Sequence, residues 1–231
     1  MQVTLALGLL PAVAVAIVSC GGARAPATES PHVHGAHGPL VHRFESAEQW
    51  AKEFDAPSRD EWQKPSEVVA AMRLEPGMTV ADLGAGTGYF EPLLSRGVGA
   101  TGVVHALDVE PDMVRYLGER AQREHLANVR PSLVSTDDPK LAPQSVDRIL
   151  VVDVWHHIDG RNAYATKLRD ALKPGGKVFV VDFEPDAKHG PPPMHRLASA
   201  VVERELADVG LGVETVSETL PEQYIVVGTR R

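Results

Sequence analysis

Short apolar runs rich in β-branched residues recur along this chain, at Thr79–Leu83, Val103–Asp108, 129–134, 148–154 and 177–183. Stretches with the 3.6-residue period of a helix lie between them. That alternation constrains the fold more than any other feature. Strands separated by helices pair in parallel and need helices on both faces of the sheet. The runs are near-continuously apolar, as burial on two sides requires. Pro111 suits the first turn of one helix, with Met113, Leu117 and Ala121 four apart on one face. A second helix is expected over about 162–172, with Tyr164, Leu168 and Leu172 in register, stopping at Lys173-Pro174-Gly175-Gly176. The end of the chain breaks the rhythm. After a helix around 197–209, the runs 212–220 and Gln223–Thr229 are joined only by Pro221-Glu222. So short a link permits an antiparallel pair and forbids a parallel crossover. The expected fold is α/β: a mostly parallel seven-stranded sheet with a terminal antiparallel hairpin and helices on both faces.

The first run breaks into VADLGAGTGYF, residues 80–90. Gly84, Gly86 and Gly88 follow a buried strand and precede a helix with Pro92 in its first turn. Glycine there permits positive φ and close approach of a ligand to the backbone. The helix N-terminus is expected to supply free N–H groups and a partial positive charge. A dinucleotide site would read G-x-G-x-x-G. Here the spacing is G-x-G-x-G, and Asp82 stands two residues before the first glycine. An acid at that place suits a ligand with an ammonium group and repels phosphate. Asp108 ends the second strand, where a carboxylate accepts hydrogen bonds from two ribose hydroxyls. Asp137 and Asp138 follow the third strand, and either receive an exocyclic adenine amine or form an Asx-type turn before Pro139. Asp153 ends the fourth, just before Trp155-His156-His157. All lie at carboxyl ends of parallel strands, the edge where open α/β sheets bind ligands.

VADLGAGTGYF, ALDVEPDMV, SVDRILVVDVWHHI and ALKPGGKVFVVDF, in that order, resemble the motifs of class I S-adenosylmethionine-dependent methyltransferases. The terminal hairpin resembles the reversed last strand of that Rossmann-like fold, and the resemblance covers about 65–231. It looks closest to bacterial small-molecule methyltransferases, including an exported, lipoprotein-like group. The resemblance implies S-adenosyl-L-methionine as cofactor and a small-molecule acceptor. Carried over residue by residue, Asp82 with Gly84, Ala85, Gly86 and Gly88 would hold the methionine portion. Asp108, followed by Val109, would bind the ribose, Asp137 or Asp138 would lie near the adenine, and Asp153 would complete the cofactor site. Methyl transfer is an in-line displacement that needs alignment and exclusion of water more than acid–base help. A base assists when the nucleophile carries a proton. His157 is the first candidate for that role or for substrate contact, and His156 the second. Two other readings compete. One is a lipid-anchored, non-catalytic protein that keeps the fold and binds an adenosyl ligand or a metal. The other, a nicotinamide oxidoreductase, is disfavoured by the glycine spacing and the hairpin ending.

Upstream, FDAPSRDEWQKPSEVV places Arg59, Trp62 and Lys64 before a helix that begins near Ser66. The segment reads either as a lid, with Trp62 closing over the site and Arg59 pairing with a carboxylate, or as an amphipathic helix packed on the sheet edge. The loop 184–196, EPDAKHGPPPMHR, is too proline-rich to be regular and is where acceptor specificity is expected. Tyr224 either reaches that loop or is a core tyrosine.

Residues 3–18 form an uncharged apolar run followed by Ser19-Cys20-Gly21-Gly22. The run is too short for a comfortable membrane span and has the form of a secretory h-region. Ile17-Val18-Ser19-Cys20 resembles the lipobox of bacterial lipoproteins, although no Lys or Arg precedes the run. The expected organisation is a lipoprotein signal peptide over 1–19, a flexible His-rich tether over 20–42, a helical lid segment over 43–76 and the cofactor-binding domain over 77–231. The tether carries His32, His34, His37 and His42, which fit either a Zn²⁺, Cu²⁺ or Ni²⁺ ligand set or a solvated linker, and no metal site is assigned there. Cys20 is the only cysteine, so neither an intrachain disulfide nor a Cys-based metal site is possible. A net charge of −8 and 5% aromatic residues argue against a nucleic-acid partner. Membrane contact is expected only through a lipidated Cys20 on an exported protein facing the periplasm, or not at all if the leader is silent and the protein stays cytoplasmic. Labelled acyl chains should appear on the wild type and not on Cys20→Ala; equal labelling of the two would end the lipoprotein reading.

Overall fold

The computed structural model describes residues 46–216 and 220–231. The apolar leader, Cys20 and the His-rich tether lie outside the described residues. The strands are β1 (Thr79–Leu83), β2 (Val103–Asp108), β3 (Val129–Leu133), β4 (Val146–Val152), β5 (Leu172–Phe183), β6 (Gly212–Val216) and β7 (Gln223–Thr229). They form one sheet in the order β3-β2-β1-β4-β5-β7-β6. The first five are mutually parallel, and β7 runs antiparallel to both β5 and β6. The helices are α1 (Ala47–Phe54), α2 (Arg59–Gln63), α3 (Pro65–Ala71), α4 (Glu91–Val98), α5 (Pro111–Arg123), α6 (Arg161–Ala171) and α7 (Ser199–Asp208). The expected seven-stranded architecture, with its terminal hairpin and reversed last strand, is the one observed.

The strands are apolar throughout because neighbouring residues enter two different cores. Ala81, Ile149, Val180 and Val226 pack on one face with Leu168 of α6 and Leu206 of α7. Val80, Leu150, Phe179 and Ile225 pack on the other with Val68 of α3, Leu94 of α4 and Leu117 of α5. Several boundaries differ from the sequence reading, including the ends of β3 at Leu133 and β6 at Val216, and two of the differences have a visible cause. β4 stops at Val152 instead of 154, because Asp153 turns into the left-handed region at φ 59° and ends the extended run. The Lys173-Pro174-Gly175-Gly176 stretch, expected as a stop, is drawn into β5. There the Gly175 N–H donates to the Arg230 carbonyl and the Arg230 N–H donates to the Gly176 carbonyl, both at 2.9 Å. A register shift between Val146 and Arg148 of β4 marks the irregularity.

Topology positions the site. β2 and β3 extend the sheet to one side of β1, while β4 lies on the other side. The crevice between the carboxyl ends of β1 and β4 is therefore the topological switch point. The two-sided core makes a clear expectation for adjacent residues of one strand. Ile149→Ala and Leu150→Ala should each lower the unfolding free energy by about 2–5 kcal/mol, measured by urea denaturation at unchanged slope. A sheet buried on one face would instead show one large effect and one negligible effect.

Candidate functional site

β1 delivers Asp82 and the glycine turn to the switch point. The turn is clamped to the neighbouring strand. The N–H groups of Gly84 and Ala85 donate to the Leu107 carbonyl at 2.8 and 3.0 Å, and that of Gly86 donates to Asp108 Oδ2 at 2.8 Å. These amides, expected to face a ligand, are engaged inside the fold. What glycine contributes is conformation and closeness. Gly84 sits at φ 72°, and a Cβ there would fall 2.3 Å from Val154 Cγ2. Gly86 sits at φ 57°, with the Phe54 ring 3.7 Å from where its Cβ would be. A larger residue at either position is strained, and at Gly84 it also collides with Val154.

Buried carboxyls gather around this turn. Asp108 is 7% exposed, and its Oδ1 accepts the Glu110 N–H at 2.9 Å. Burial raises its pKa above the usual carboxylate range, against the pull of those backbone donors. Asp82 is 3% exposed, and burial pushes its pKa up to about 7. Glu91, the first residue of α4, is 1% exposed and neither of its oxygens has a hydrogen-bond donor among the described residues. Sequence reading missed it, because an acid in a helix's first turn is unremarkable. Burial also pushes Asp153 to about 7, offset in part by Arg59.

Asp153 closes a ring of polar groups. Arg59 Nε and Nη2 donate to Gln63 Oε1 at 3.2 and 3.0 Å, Gln63 Nε2 donates to Gln223 Oε1, and Gln223 Nε2 donates to Asp153 Oδ1. Asp153 Oδ2 returns to Arg59 Nη2 at 3.5 Å. The ring ties α2 to the carboxyl end of β4 and to the start of β7. The rest of the segment continues the same path across the sheet edge. Thr87 Oγ1 donates to Asp55 at 3.0 Å, and Arg120 Nη1 donates to the same Asp55 oxygen at 2.9 Å. The Tyr89 hydroxyl donates to Asp60, and the Arg59 guanidinium lies 4.2 Å from the Tyr89 ring centroid. Trp62 stacks on His189 with centroids 5.1 Å apart and leans on Phe183 at 5.5 Å. Residues 54–63 therefore run past the glycine turn, Asp153 and the end of β5. The carboxylate that Arg59 meets is Asp153. Lys64 pairs with Glu67 at 3.4 Å.

The histidines follow β4. His156 places its ring Nδ1 2.9 and 3.0 Å from the two oxygens of the fully buried Asp182. A carboxylate partner makes Nδ1 the proton-bearing nitrogen. The His157 ring lies 4.2 Å from that of His156, centroid to centroid. At the end of β3 the Ser135 N–H and the Asp138 carbonyl close a tight turn at 3.1 Å. Asp138 Oδ1 accepts the Lys140 N–H at 2.8 Å, and its other oxygen pairs with Lys167 at 3.5 Å. Asp137 is exposed in this turn, whose form is the Asx-type alternative. Val109, just beyond Asp108, is 42% exposed.

The loop 184–196 is more ordered than its composition suggests. Arg196 donates to the carbonyls of Pro185, Ala187, His189 and Pro191 at 2.6–3.1 Å. Glu222 Oε2 accepts the N–H groups of Lys188 and His189, each at 2.8 Å. Tyr224 is a core tyrosine whose hydroxyl donates to the Leu197 carbonyl at 3.0 Å, just past the loop. Among the described residues no group of three or more His, Cys, Asp or Glu side chains is arranged to hold a metal ion.

Comparison with known proteins agrees with this geometry. Residues 80–176 match a family described as a methyltransferase domain. The ubiquinone/menaquinone biosynthesis C-methyltransferase UbiE of Burkholderia cenocepacia is 28% identical over 116 residues, 50% of this chain and 47% of that protein. The chain thus spans about half the length of the curated relatives it matches. A solved SAM-dependent methyltransferase from Aquifex aeolicus is 30% identical with a TM-score of 0.75, over 79% of this chain and 98% of that one. An S-adenosylmethionine-dependent methyltransferase from Mesorhizobium loti, 16% identical with a TM-score of 0.61 over 77% of this chain and 100% of its own, shares the fold.

The raised acid at Asp153 has a consequence for stability. Its folded pKa of about 7 lies above the unfolded carboxylate value. The folded state therefore holds a proton that the unfolded chain has lost, and this contribution is present at low pH and fades as pH rises toward 7. Asp153→Asn keeps the oxygen that accepts from Gln223 and removes the titration. Its unfolding free energy relative to wild type should rise steadily between pH 4 and 7, measured by denaturant titration; a flat difference would place the titration elsewhere.

Proposed function

The chain belongs to the S-adenosylmethionine-dependent methyltransferases, and on that footing we propose that it methylates a small-molecule acceptor at the crevice between the carboxyl ends of β1 and β4. The observation that carries this reading is the pair of buried acids, Asp82 and Asp108, flanking the glycine turn. They fit the two polar ends of the methyl donor. Asp82 suits the ammonium of its amino-acid end, and Asp108 retains lone pairs for a ribose diol beyond the two backbone N–H groups it accepts. Val109 and Leu133, exposed apolar side chains at the ends of β2 and β3, suit the faces of an adenine, with Asp137 and Asp138 beyond them. Bound S-adenosylmethionine supplies an electrophilic methyl carbon on a positively charged sulfur.

The chain's own work is alignment and exclusion of water. Residues 54–63 supply the cover. Phe54 rests on Gly86 and Arg59 holds Asp153, so entry of the cofactor requires this segment to lift. His157 is proposed to accept the proton of a protic acceptor, with His156 fixed behind it by Asp182. The aromatic edge made by Trp62, Phe183 and His189 is proposed to receive the acceptor's body. We place this activity on an exported protein anchored through Cys20, on the strength of the apolar run 3–18 and the residues that follow it.

Calorimetry tests the site directly. S-adenosylmethionine and S-adenosylhomocysteine should bind with micromolar affinity, about −8 kcal/mol, and NAD should not compete. Asp108→Ala should weaken both by at least tenfold, about 1.4 kcal/mol. Absence of adenosyl binding by the wild type, or preferential binding of NAD, would overturn the reading.

A further inference from the structure

Glu91 is a charged-type side chain placed where no charge is comfortable. It is 1% exposed, and its Oε2 lies 3.4 Å from where a Cβ on Gly88 would stand, directly under the glycine turn. Both of its oxygens lack a donor among the described residues. The charged groups that act on Glu91 are Asp82 on β1 and Arg120 on α5, and those that act in turn on Asp82 are Asp108 on β2 and Arg59 on α2. Neither cation is available to it. Arg120 donates to Asp55, Glu124 and the Thr87 carbonyl, and Arg59 to Gln63, Asp153 and the Phe54 carbonyl. The group within hydrogen-bonding reach of Glu91 is the Asp82 carboxyl. Two ionised carboxylates are acceptors only, so a bond between them requires a proton.

We propose that Glu91 is a positioning residue that stays protonated and donates to Asp82, so that the pair offers the methyl donor's ammonium a single, oriented negative charge. This rests on the cofactor-site reading above. Burial, and then the charge of Asp82, push the Glu91 carboxyl well above its ordinary range. Asp82, at about 7, is the member that titrates near neutrality. Raising the pH through 7 ionises Asp82 and favours ammonium binding, whereas lowering it gives the pair a second proton and weakens binding.

The test compares wild type, Glu91→Gln and Glu91→Leu at pH 8, by titration calorimetry with S-adenosylhomocysteine and by infrared spectroscopy. Gln keeps a donor toward Asp82 and should bind within about threefold of wild type, whereas Leu leaves Asp82 unsupported and should bind at least tenfold more weakly, about 1.4 kcal/mol. The wild type should show the carbonyl band of a protonated carboxylic acid at this pH, and Glu91→Gln should lose it. Equal weakening in both variants would mean that Glu91 acts as an anion, and no weakening in either would mean that it does not position Asp82. Each overturns the proposal, as does absence of the band. If Glu91→Leu does not fold, the affinity and spectrum of Glu91→Gln decide. A wild type that shows the band yet ignores S-adenosylhomocysteine would bring down the cofactor-site reading and leave the shared proton standing.

Discussion

Carboxyl groups withdrawn wholly or in part from water at one edge of the sheet set the terms for everything built around them. Removing an ion from water is costly unless it is paired, hydrogen-bonded or neutralised. The fold uses a different remedy for each acid. Asp108 takes backbone N–H groups from Gly86 and Glu110. Asp153 takes Gln223 and the Arg59 guanidinium. Asp82 and Glu91 have one another, an arrangement that works only with a proton between them. The donors come from sequence positions as far apart as Arg59 and Gln223, so the edge joins the two ends of the described chain.

The same demand explains why the segment ahead of β1 is ordered. α1, α2 and α3 have eight, five and seven residues, each too short to persist alone in water. They are held by what they satisfy. Gln63 is fully buried between Arg59 and Gln223, and the Ala47 N–H donates to Asp112 of α5 at 2.7 Å. On the proposed opening of residues 54–63, Arg59 would return to water and Asp153 would become more exposed at the same moment. That would couple access to the crevice with the ionisation of Asp153 through one guanidinium.

Much of the architecture was legible in the sequence because two-sided burial writes itself into composition. A strand such as 148–152, RILVV, has room for few polar residues when both its faces are core. The reversed β7 was legible because the stretch between the last two apolar runs, expected as two residues and six between the observed β6 and β7, is too short for a parallel crossover. Boundaries set by single dihedral angles were hidden. Nothing in the letters reveals that Asp153 adopts a left-handed conformation, or that Gly175 pairs with Arg230 instead of ending a turn. At the site the acids at strand ends were visible, since strand position places them. Glu91 was not, because its burial depends on the packing of Leu117 and Arg120 from another helix against the turn. The ring of Arg59, Gln63, Gln223 and Asp153 and the carbonyl cage around Arg196 belong to the same hidden class. They join neutral or common residues whose spacing carries no period.

The turn's glycines invite comparison with phosphate-binding loops, and the hydrogen bonds show why the likeness is superficial. A phosphate loop works by aiming several backbone N–H groups and a helix N-terminus at one anion. Here the N–H groups of Gly84, Ala85 and Gly86 all point to β2, two at the Leu107 carbonyl and one at Asp108. The first turn of the following helix carries the buried Glu91 where an anion would otherwise approach. Both changes act in the same direction, one withdrawing free N–H donors and the other filling the helix N-terminus, and the ionised form of Asp82 beside them adds repulsion. A ligand bearing positive charge meets the opposite situation, since it supplies the kind of counter-charge that Arg59 gives Asp153. The preference for a cationic, zwitterionic ligand is therefore distributed through the turn's hydrogen bonds and its acids, and no single substitution is expected to convert it into a nucleotide-phosphate site.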